Sequence, residues 1–569
     1  MIIIRGIIGP GANEAGAGAQ WLGELTDATT YSGHDWSVAV VPDCSHRIDS
    51  TGTGLAIHDG RVQNPASDPR EWNGAYLAVH AQSGELTFTA DRLGTVPVYW
   101  TRVPGGVAFA SRLVDMVSWS PRPNSVGILQ MLLLNQPLGV RTLLENVALL
   151  PPASQVTLTA DGVQSQTRYW EPTVSSEPPG NLDAWIEEGA EVLEKANHRA
   201  RNTAQDGRVA WPVTGGFDSR CNLGVSRSLI QPDDLLFHVV DLGNFELPAA
   251  RQIASYLDRP LHIMDAAPWM RNVADFDIGL DNGEFNVGHW RLVGPCRELM
   301  DAHACRVTVD GFLQGILLNP AMFFKEGTVD DVRERQLRLF QYRMQRLAIP
   351  RDHSMLETAR EASAADYPVS VDGLSASQRY IFENRSRRMV YGIVRLNQNY
   401  VDVRTPGLDT ELLDFVIRVP WELRKHARLY RKIINRVDPR LASIVHDKTG
   451  LPVNAEKPLS RRKFLVKRLR YYVNRVWPGK PLFRGKETRF ETLVRTDAAF
   501  REEVCALLRQ SHWLTEALQT DPVAMLDAQK AAYGEIDPDC VGAMVNIALL
   551  EKQARSAMVQ DAASRVATA

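Results

Sequence analysis

One short segment limits what this chain can fold into more than any other. Residues 208–213 form an apolar run with strand character, and residues 219–229 have the apolar spacing of a helix. The turn between them contains Gly215 and Gly216, which lack the Cβ atoms that would keep an anion from the backbone N–H groups. The helix that follows directs its positive end at the same turn. The segment therefore predicts an anion-binding loop between a strand and a helix.

Polar side chains beside the glycines indicate which anion such a loop would bind. Thr214 and Ser219 contribute hydroxyl groups, and Asp218 contributes a carboxylate. Magnesium usually binds one or two carboxylates together with phosphate oxygens, so Asp218 is a candidate metal ligand. No lysine follows the glycines, which excludes the longer nucleotide loop that ends in Gly-Lys-Ser/Thr. An ordinary corner between a strand and a helix is the alternative interpretation.

The loop resembles the SGG-x-DS pyrophosphate loop of the ATP-pyrophosphatases, which activate a carboxylate as its acyl-adenylate. Thr214 stands where that family usually has serine. The resemblance implies ATP and pyrophosphate binding by Thr214, Gly215, Gly216, Asp218 and Ser219. Further segments resemble motifs of the asparagine synthetase superfamily, and their order and spacing agree over roughly residues 1–455. These segments are 73–79, 89–100, 109–112, 149–152, 168–170, 402–409, Lys432 and 446–451.

The chain is expected to be an α/β protein with two domains, because 569 residues are too many for a single core. The resemblance identifies residues 1–175 as a degenerate glutaminase-like, β-rich layered domain that begins with a buried strand. It identifies residues 182–569 as an ATP-pyrophosphatase domain whose C-terminal part is mainly helical. Strand-like and helical stretches alternate at the start of this second domain, which predicts a parallel sheet. The strand-like stretches are 208–213, 235–241, 261–264 and 306–309.

The second residue of the chain bears on the source of the amine for amide formation. Full asparagine synthetases begin Met-Cys-Gly, and that cysteine releases ammonia from glutamine. Ile2 occupies the position here, and the nearest cysteine in the sequence is Cys44. The absence of the cysteine resembles two branches of the superfamily that use an amine already present on the substrate. They are the β-lactam synthetases and the lasso-peptide macrolactam synthetases.

A second segment of the site distinguishes these two branches. Residues 307–316 match the strand and loop that read SGEGADELFGG in asparagine synthetases. Gly311 matches a glycine of that motif, which would border the nucleotide. Phe312 replaces the tyrosine of the β-lactam enzymes, so their tyrosine–glutamate base pair cannot be carried over. Gly315 replaces the metal-binding aspartate of the family, and Asp310 is a nearby carboxylate that could compensate as a weaker metal ligand. The segment favours a divergent cyclase.

The glutamate of that base pair has no clear counterpart. Val390 falls near its place, and Glu383 lies about two helical turns earlier.

Lys448 is the candidate catalytic residue. It matches the catalytic lysine of both synthetase branches, where a positive charge would stabilise the phosphates during adenylation and the oxyanion during amide formation. A solvated lysine on a turn is the alternative.

The resemblance implies ATP- and Mg²⁺-dependent macrolactam formation in a ribosomally made, lasso-type precursor peptide. An Asp or Glu side chain would be adenylated, and the freed N-terminal amine would attack it. A leader protease and a leader-binding protein would be partners. A small-molecule amide or β-lactam synthetase and a non-catalytic superfamily scaffold remain alternatives.

Charge and composition add one further candidate surface. Residues 457–489 contain twelve Lys or Arg residues and a single acid, with aromatic residues interleaved. This basic segment would bind an acidic partner or peptide, or form a solvated helix face; nucleic acid is a less favoured partner. No apolar run reaches the ~20 residues of a membrane span. Six cysteines without a CxxC pair fit a reducing cytoplasm.

Overall fold

The computed structural model is an α/β chain with antiparallel sheets in its N-terminal part, followed by a parallel sheet and helices toward the C-terminus. The predicted fold class is confirmed at this level of architecture. The structure describes residues 2–10, 12, 17–51, 53–202, 207–240, 246–266, 268, 271, 284, 286, 293–320, 326–350, 353–446, 451–455, 469, 490–533 and 536–568.

Two six-stranded antiparallel sheets form the N-terminal part. Their strands are β1 (Ile3–Ile8), β2 (Thr29–Ser32), β3 (Trp36–Val41), β4 (Arg47–Thr51), β5 (Gly54–His58), β6 (Tyr76–Gln82), β7 (Glu85–Ala90), β8 (Tyr99–Val103), β9 (Gly106–Ala110), β10 (Ala148–Leu149), β11 (Ser154–Thr159) and β12 (Gly162–Arg168). The first sheet has the order β10-β8-β9-β1-β3-β2, and the second has the order β12-β11-β7-β6-β5-β4. The first strand is buried along nearly its whole length between β9 and β3, as expected.

The two sheets pack face to face around one apolar core. Val38 and Phe109 of the first sheet meet Ile57 and Phe88 of the second, and the two phenylalanine rings lie edge to face with centroids 5.0 Å apart. Alternate residues of each strand point into this core, which is the period of two expected for a layered sheet. Each fully buried apolar side chain of this size stabilises the fold by roughly 1.5–3 kcal/mol.

A five-stranded parallel sheet forms the centre of the following part. Its strands are β13 (Val209–Pro212), β14 (Leu235–Val240), β15 (Leu261–Asp265), β16 (Val307–Val309) and β17 (Asp402–Arg404). Their order is β15-β14-β13-β16-β17, and every neighbouring pair is parallel. The four strand-like stretches of the sequence are confirmed as strands. All five strands end at the same edge, so the loops after β13 and β16 are neighbours there.

Helices surround both sheets and dominate the described residues after β16. They are α1 (Ala17–Gly23), α2 (Ser125–Leu134), α3 (Leu182–Asn202), α4 (Phe217–Val225), α5 (Leu247–Tyr256), α6 (Val293–Asp301), α7 (Gln314–Leu318), α8 (Val329–Arg346), α9 (Met355–Ala365), α10 (Gly373–Tyr380), a π-helix (Ile381–Val390), α11 (Tyr391–Asn397), α12 (Thr410–Arg418), α13 (Trp421–Arg424), α14 (Arg428–Val437), α15 (Pro439–Ser443), α16 (Phe490–Thr496), α17 (Ala498–Arg509), α18 (His512–Leu518), α19 (Pro522–Tyr533) and α20 (Pro538–Thr568). A short hairpin of β18 (Val445–His446) and β19 (Leu451–Pro452) follows α15. Among the described residues, no helix has both the length and the apolar character needed to cross a bilayer.

The N-terminal sandwich contacts the rest of the chain through apolar and charged groups. Helices α16 to α20 pack with α2 and the outer face of the first sheet in one continuous core. Arg92 forms two hydrogen bonds to the Asp414 carboxylate, at 2.6 and 2.9 Å. The buried Arg387 donates to the carbonyls of Gly94 and Leu150. These contacts fix the sandwich against the elements that surround the parallel sheet.

Candidate functional site

The loop after β13 is closed by its own hydroxyl groups. Ser219 Oγ accepts a hydrogen bond from the Thr214 backbone N–H at 3.1 Å and lies 2.9 Å from Thr214 Oγ1. The Gly216 N–H donates to Thr214 Oγ1 at 3.1 Å. Among the described residues, a Cβ added at Gly216 would meet only that hydroxyl, 3.1 Å away, within 4 Å. The hydroxyls therefore shape the loop, and no other described atom crowds the glycine.

Arg220 was not predicted as a site residue, and its side chain holds the backbone of this loop. Its buried guanidinium donates to the carbonyl of Gly215 at 3.0 Å and to the carbonyl of Val445 at 3.1 Å. It also donates to the carbonyls of Leu441 and Ile444. The same side chain thus holds both the glycine loop and the segment that leads toward Lys448. Residues 447–450 lie outside the described residues, so the catalytic role of Lys448 remains a prediction from the sequence.

Asp218 lies directly against two glycines of the β16 loop and helix α7. A Cβ at Gly311 would fall 2.7 Å from Asp218 Cβ, and a Cβ at Gly315 would fall 2.7 Å from Asp218 Oδ2. By resemblance to the family, Gly315 stands where a metal-binding aspartate is expected. In the structure the Asp218 carboxylate itself takes the space that a side chain at 315 would need. The two segments selected from the sequence are therefore in direct contact.

Asp310 precedes Gly311, the glycine that lies against Asp218, and its carboxyl group is near enough to interact with the charge of Asp218. Burial, together with the nearby charge of Asp218, raises the pKa of Asp310 to about 7, although the Phe312 N–H donates to its carboxylate at 3.1 Å. The Asp310 N–H donates to the Arg404 carbonyl at 2.9 Å, which ties the end of β16 to β17. A divalent cation would offset the repulsion between these carboxylates.

The donor set around Asp218 and Asp310 fits Mg²⁺ bound with a nucleotide. Two carboxylates are what Mg²⁺ commonly takes from a protein when phosphate oxygens and water complete its shell. Within the part of the chain that the structure describes, no group of three or more His, Cys, Asp or Glu side chains could hold a metal alone. Such a donor set leaves the remaining ligands of the ion to phosphate oxygens and water.

Tyr430 and Gln314 belong to this site and were missed in the sequence. The Tyr430 hydroxyl lies 3.0 Å from Asp218 Oδ1 and 3.1 Å from Gln314 Oε1. Burial, followed by the charge of Asp218, raises the pKa of Tyr430 well above its ordinary value, so the hydroxyl keeps its proton. In the sequence Tyr430 has the spacing of a core residue with Leu429, Ile433 and Ile434, and nothing local distinguishes it.

Glu383 is engaged in two ion pairs. Its carboxylate binds Arg168 at 2.8 Å and Arg379 at 2.7 Å, so it joins the π-helix to the end of the sandwich. These contacts give Glu383 a structural role.

The N-terminal residues have no activated thiol at the described positions. Ile2 is 2% exposed and packs in the sandwich core, and its carbonyl accepts a hydrogen bond from Ser111 Oγ at 3.0 Å. Burial, with the charge of Asp43, raises the pKa of the Cys44 thiol. A reactive cysteine needs the opposite shift, toward the thiolate.

The basic segment 457–489 lies outside the described residues except for Leu469.

Comparison with protein-family models gave no match, and a search of curated proteins gave no significant relative.

Proposed function

We propose that this protein is an ATP- and Mg²⁺-dependent carbon–nitrogen ligase that releases AMP and pyrophosphate. The proposal is supported above all by the convergence of Asp218 and Asp310 beside the Gly215-Gly216 loop, at the carboxyl edge of a parallel sheet. Ligands of such sheets bind at this edge. The resemblance to the asparagine synthetase superfamily supplies the reaction class.

Each group at the site has a part in this chemistry. The open side of the Gly215-Gly216 loop and the start of α4 would bind the pyrophosphate portion of ATP. Asp218 and Asp310 would hold Mg²⁺, which neutralises charge on the phosphate oxygens when bound. Gly311 keeps the carboxylate of Asp218 close to the nucleotide because any larger residue would displace it. Lys448 would stabilise the negative charge that develops in both steps.

We further propose that the substrate is a ribosomally made, lasso-type precursor peptide. A carboxylate oxygen of its Asp or Glu side chain would attack the α-phosphorus of ATP and expel pyrophosphate. The N-terminal amine of the peptide would then attack the acyl carbon, lose a proton and expel AMP, which closes a macrolactam. Holding both ends of one peptide in a single site would supply much of the rate by proximity.

The absence of a cysteine at position 2 supports an amine that is supplied by the substrate. In this proposal residues 1–175 are a glutaminase-like domain without its nucleophile, and residues 182–569 adenylate and cyclise the peptide. A leader protease and a leader-binding protein would act with the enzyme in the cytoplasm.

The test combines the purified full-length chain with Mg²⁺, ATP and the short precursor peptides encoded beside its gene, after removal of their leaders. We expect AMP, pyrophosphate and a peptide product lighter by one water, with no effect of added glutamine. Asp218→Asn should abolish all three products, whereas exchange of an exposed carboxylate such as Asp161 should not. Release of ADP and phosphate, or glutamate formed in step with product, would contradict the mechanism. Turnover of free amino acids instead of peptides would favour a small-molecule synthetase, and no ATP consumption would favour a scaffold.

A further inference from the structure

Three residues form a ring of hydrogen-bonding contacts that starts at Asp218 and is closed by the helix that carries it. Tyr430 on α14 bridges Asp218 Oδ1 and Gln314 on α7, at 3.0 and 3.1 Å. Gln314 Nε2 lies 2.7 Å from Oδ1 of Asn222. Asn222 lies on α4, one turn after Asp218, so the ring returns to the helix from which it starts. All three partners are buried.

The number of available hydrogens determines which group donates and which accepts in each contact of this ring. A tyrosine hydroxyl has one proton, and Tyr430 here faces two acceptors, while Asn222 Nδ2 has no partner within the described structure. The oxygen and nitrogen of a side-chain amide exchange places when the group turns by half a rotation. Turning both Gln314 and Asn222 lets Asn222 donate to Gln314, and Gln314 donate to the Tyr430 oxygen. Each of the three short contacts then has one hydrogen, and the Tyr430 proton is committed to the Asp218 carboxylate.

The packing around the carboxylate leaves it little freedom to turn elsewhere. Gly311 and Gly315 lie against one side of Asp218, so close that either Cβ would fall 2.7 Å from one of its atoms. Tyr430 contacts Oδ1 of the same carboxylate, and the Phe217 ring meets the Tyr430 ring edge-on with centroids 6.1 Å apart. Tyr430 also contacts the buried Cys221 thiol, but a thiol is a much weaker acceptor than a carboxylate.

We propose that Tyr430, oriented by Gln314 and Asn222, is a positioning residue that fixes the Asp218 carboxylate for Mg²⁺. This inference rests on the proposed function, because the cation concerned is the one that accompanies ATP. Tyr430 donates to Oδ1 and thereby sets the orientation in which the carboxylate would meet the metal. Charge-assisted donors of this kind hold a ligand in one orientation before the metal arrives.

The test measures metal binding without requiring turnover. Mn²⁺ replaces Mg²⁺, and its free concentration is followed by electron paramagnetic resonance with the full-length chain and α,β-methylene-ATP. Tyr430→Phe keeps the ring and removes only the hydroxyl. Its Mn²⁺ dissociation constant is expected to rise roughly 10–100-fold, the usual effect of losing a residue that orients a metal ligand. Tyr380→Phe is the matched control, because Tyr380 is also buried and its hydroxyl binds Gln336 at 2.8 Å far from the loop.

A double-mutant cycle tests whether Gln314 acts through Tyr430. Gln314→Leu should weaken Mn²⁺ binding in the wild-type background and have little further effect in Tyr430→Phe. Thermal unfolding of each variant shows whether it is folded. In turnover assays, excess Mg²⁺ should restore the rate of Tyr430→Phe and should not restore that of Asp218→Asn.

The outcomes separate this inference from the proposed function. A wild-type chain that binds Mn²⁺ with the nucleotide but cyclises no peptide would refute the proposed function, and a weakened Tyr430→Phe would still support the positioning role. Unchanged Mn²⁺ binding in folded Tyr430→Phe, or additive effects in the cycle, would overturn that role. Failure of the wild type to bind Mn²⁺ with the nucleotide would overturn both.

Discussion

An alanine at position 311 would place a methyl group where Asp218 already lies. Its Cβ would be 2.7 Å from Asp218 Cβ, 3.2 Å from the carbonyl carbon and 3.4 Å from Cα. Two non-bonded carbons are most stable at about 3.5–4.0 Å, so the β16 loop and the start of α4 must separate by about 1 Å. The atoms concerned belong to the backbone or are bonded to it, and a rotamer change cannot relieve the overlap.

The expected magnitude follows from this displacement. Inserting a methyl group into a packed site costs about 1–3 kcal/mol of unfolding free energy. A shift of about 1 Å between groups of an active site can reduce the rate by roughly 100-fold. Gly311→Ala should therefore lower both the unfolding free energy, measured in denaturant, and the rate of AMP release.

Gly315→Ala provides the matched comparison. The atoms nearest to its Cβ are the carboxylate oxygens of Asp218, at 2.7 and 3.2 Å, which belong to a side chain and can be pushed out of the Tyr430 contact without moving the backbone. Neither Gly311 nor Gly315 has a positive φ, so alanine causes no backbone strain at either position. Gly315→Ala should keep near-normal stability but need more Mg²⁺ for the same rate. Gly23→Ala, which would meet nothing within 4 Å, is the control. Normal stability and turnover in Gly311→Ala would refute the packing argument.

Three further predictions concern charge. Lys448→Ala should lower kcat by roughly 10²–10³-fold with little change in ATP binding; a loss below about tenfold, measured by steady-state kinetics, would place Lys448 outside the site. The raised pKa of Asp310 means that the folded protein keeps a proton that the unfolded chain loses, so stability should fall as the pH rises from 3.8 to about 7. Asp310→Asn should flatten that part of the profile in denaturation experiments, and an unchanged slope would contradict the assignment. Exchanging Arg461, Arg462 and Lys463 for glutamate should weaken peptide affinity, most strongly at low salt, while ATP binding persists; unchanged peptide affinity would make the basic segment a solvated face.

The parallel sheet could be predicted from the sequence because its strands have a recognisable local pattern. The apolar run before Gly215 and the alternation of strand-like and helical stretches gave the parallel sheet, because a strand buried on both faces is continuously apolar. The order of the two N-terminal sheets could not be obtained in this way. In the first sheet β1 lies between β9 and β3, and such pairings depend on contacts between distant segments.

In the candidate site, too, residues within a sequence motif could be predicted, and residues brought together only by folding could not. Asp218 and Gly311 were found because each lies in a motif with its own local signal. Tyr430 was missed because its helix brings it to Asp218 only in the folded chain, and its spacing is that of a core residue. Gly315 was interpreted as a missing ligand, whereas in the structure its lack of a side chain makes room for Asp218.

Arg220 gives a physical reason for two distant motifs to occur together. Its guanidinium is removed from water and donates to the carbonyl of Gly215 and to carbonyls at the end of α15 and in β18. A buried guanidinium is tolerated only when such acceptors are in place, so the loop and the hairpin constrain each other. Lys448 lies between β18 and β19 in the sequence. A change that shortens or turns Arg220, such as Arg220→Lys, removes this shared anchor because an ammonium cannot reach carbonyls in two directions from one plane. In the proposed enzyme the same anchor would couple the pyrophosphate loop to the strand that precedes Lys448 in the sequence.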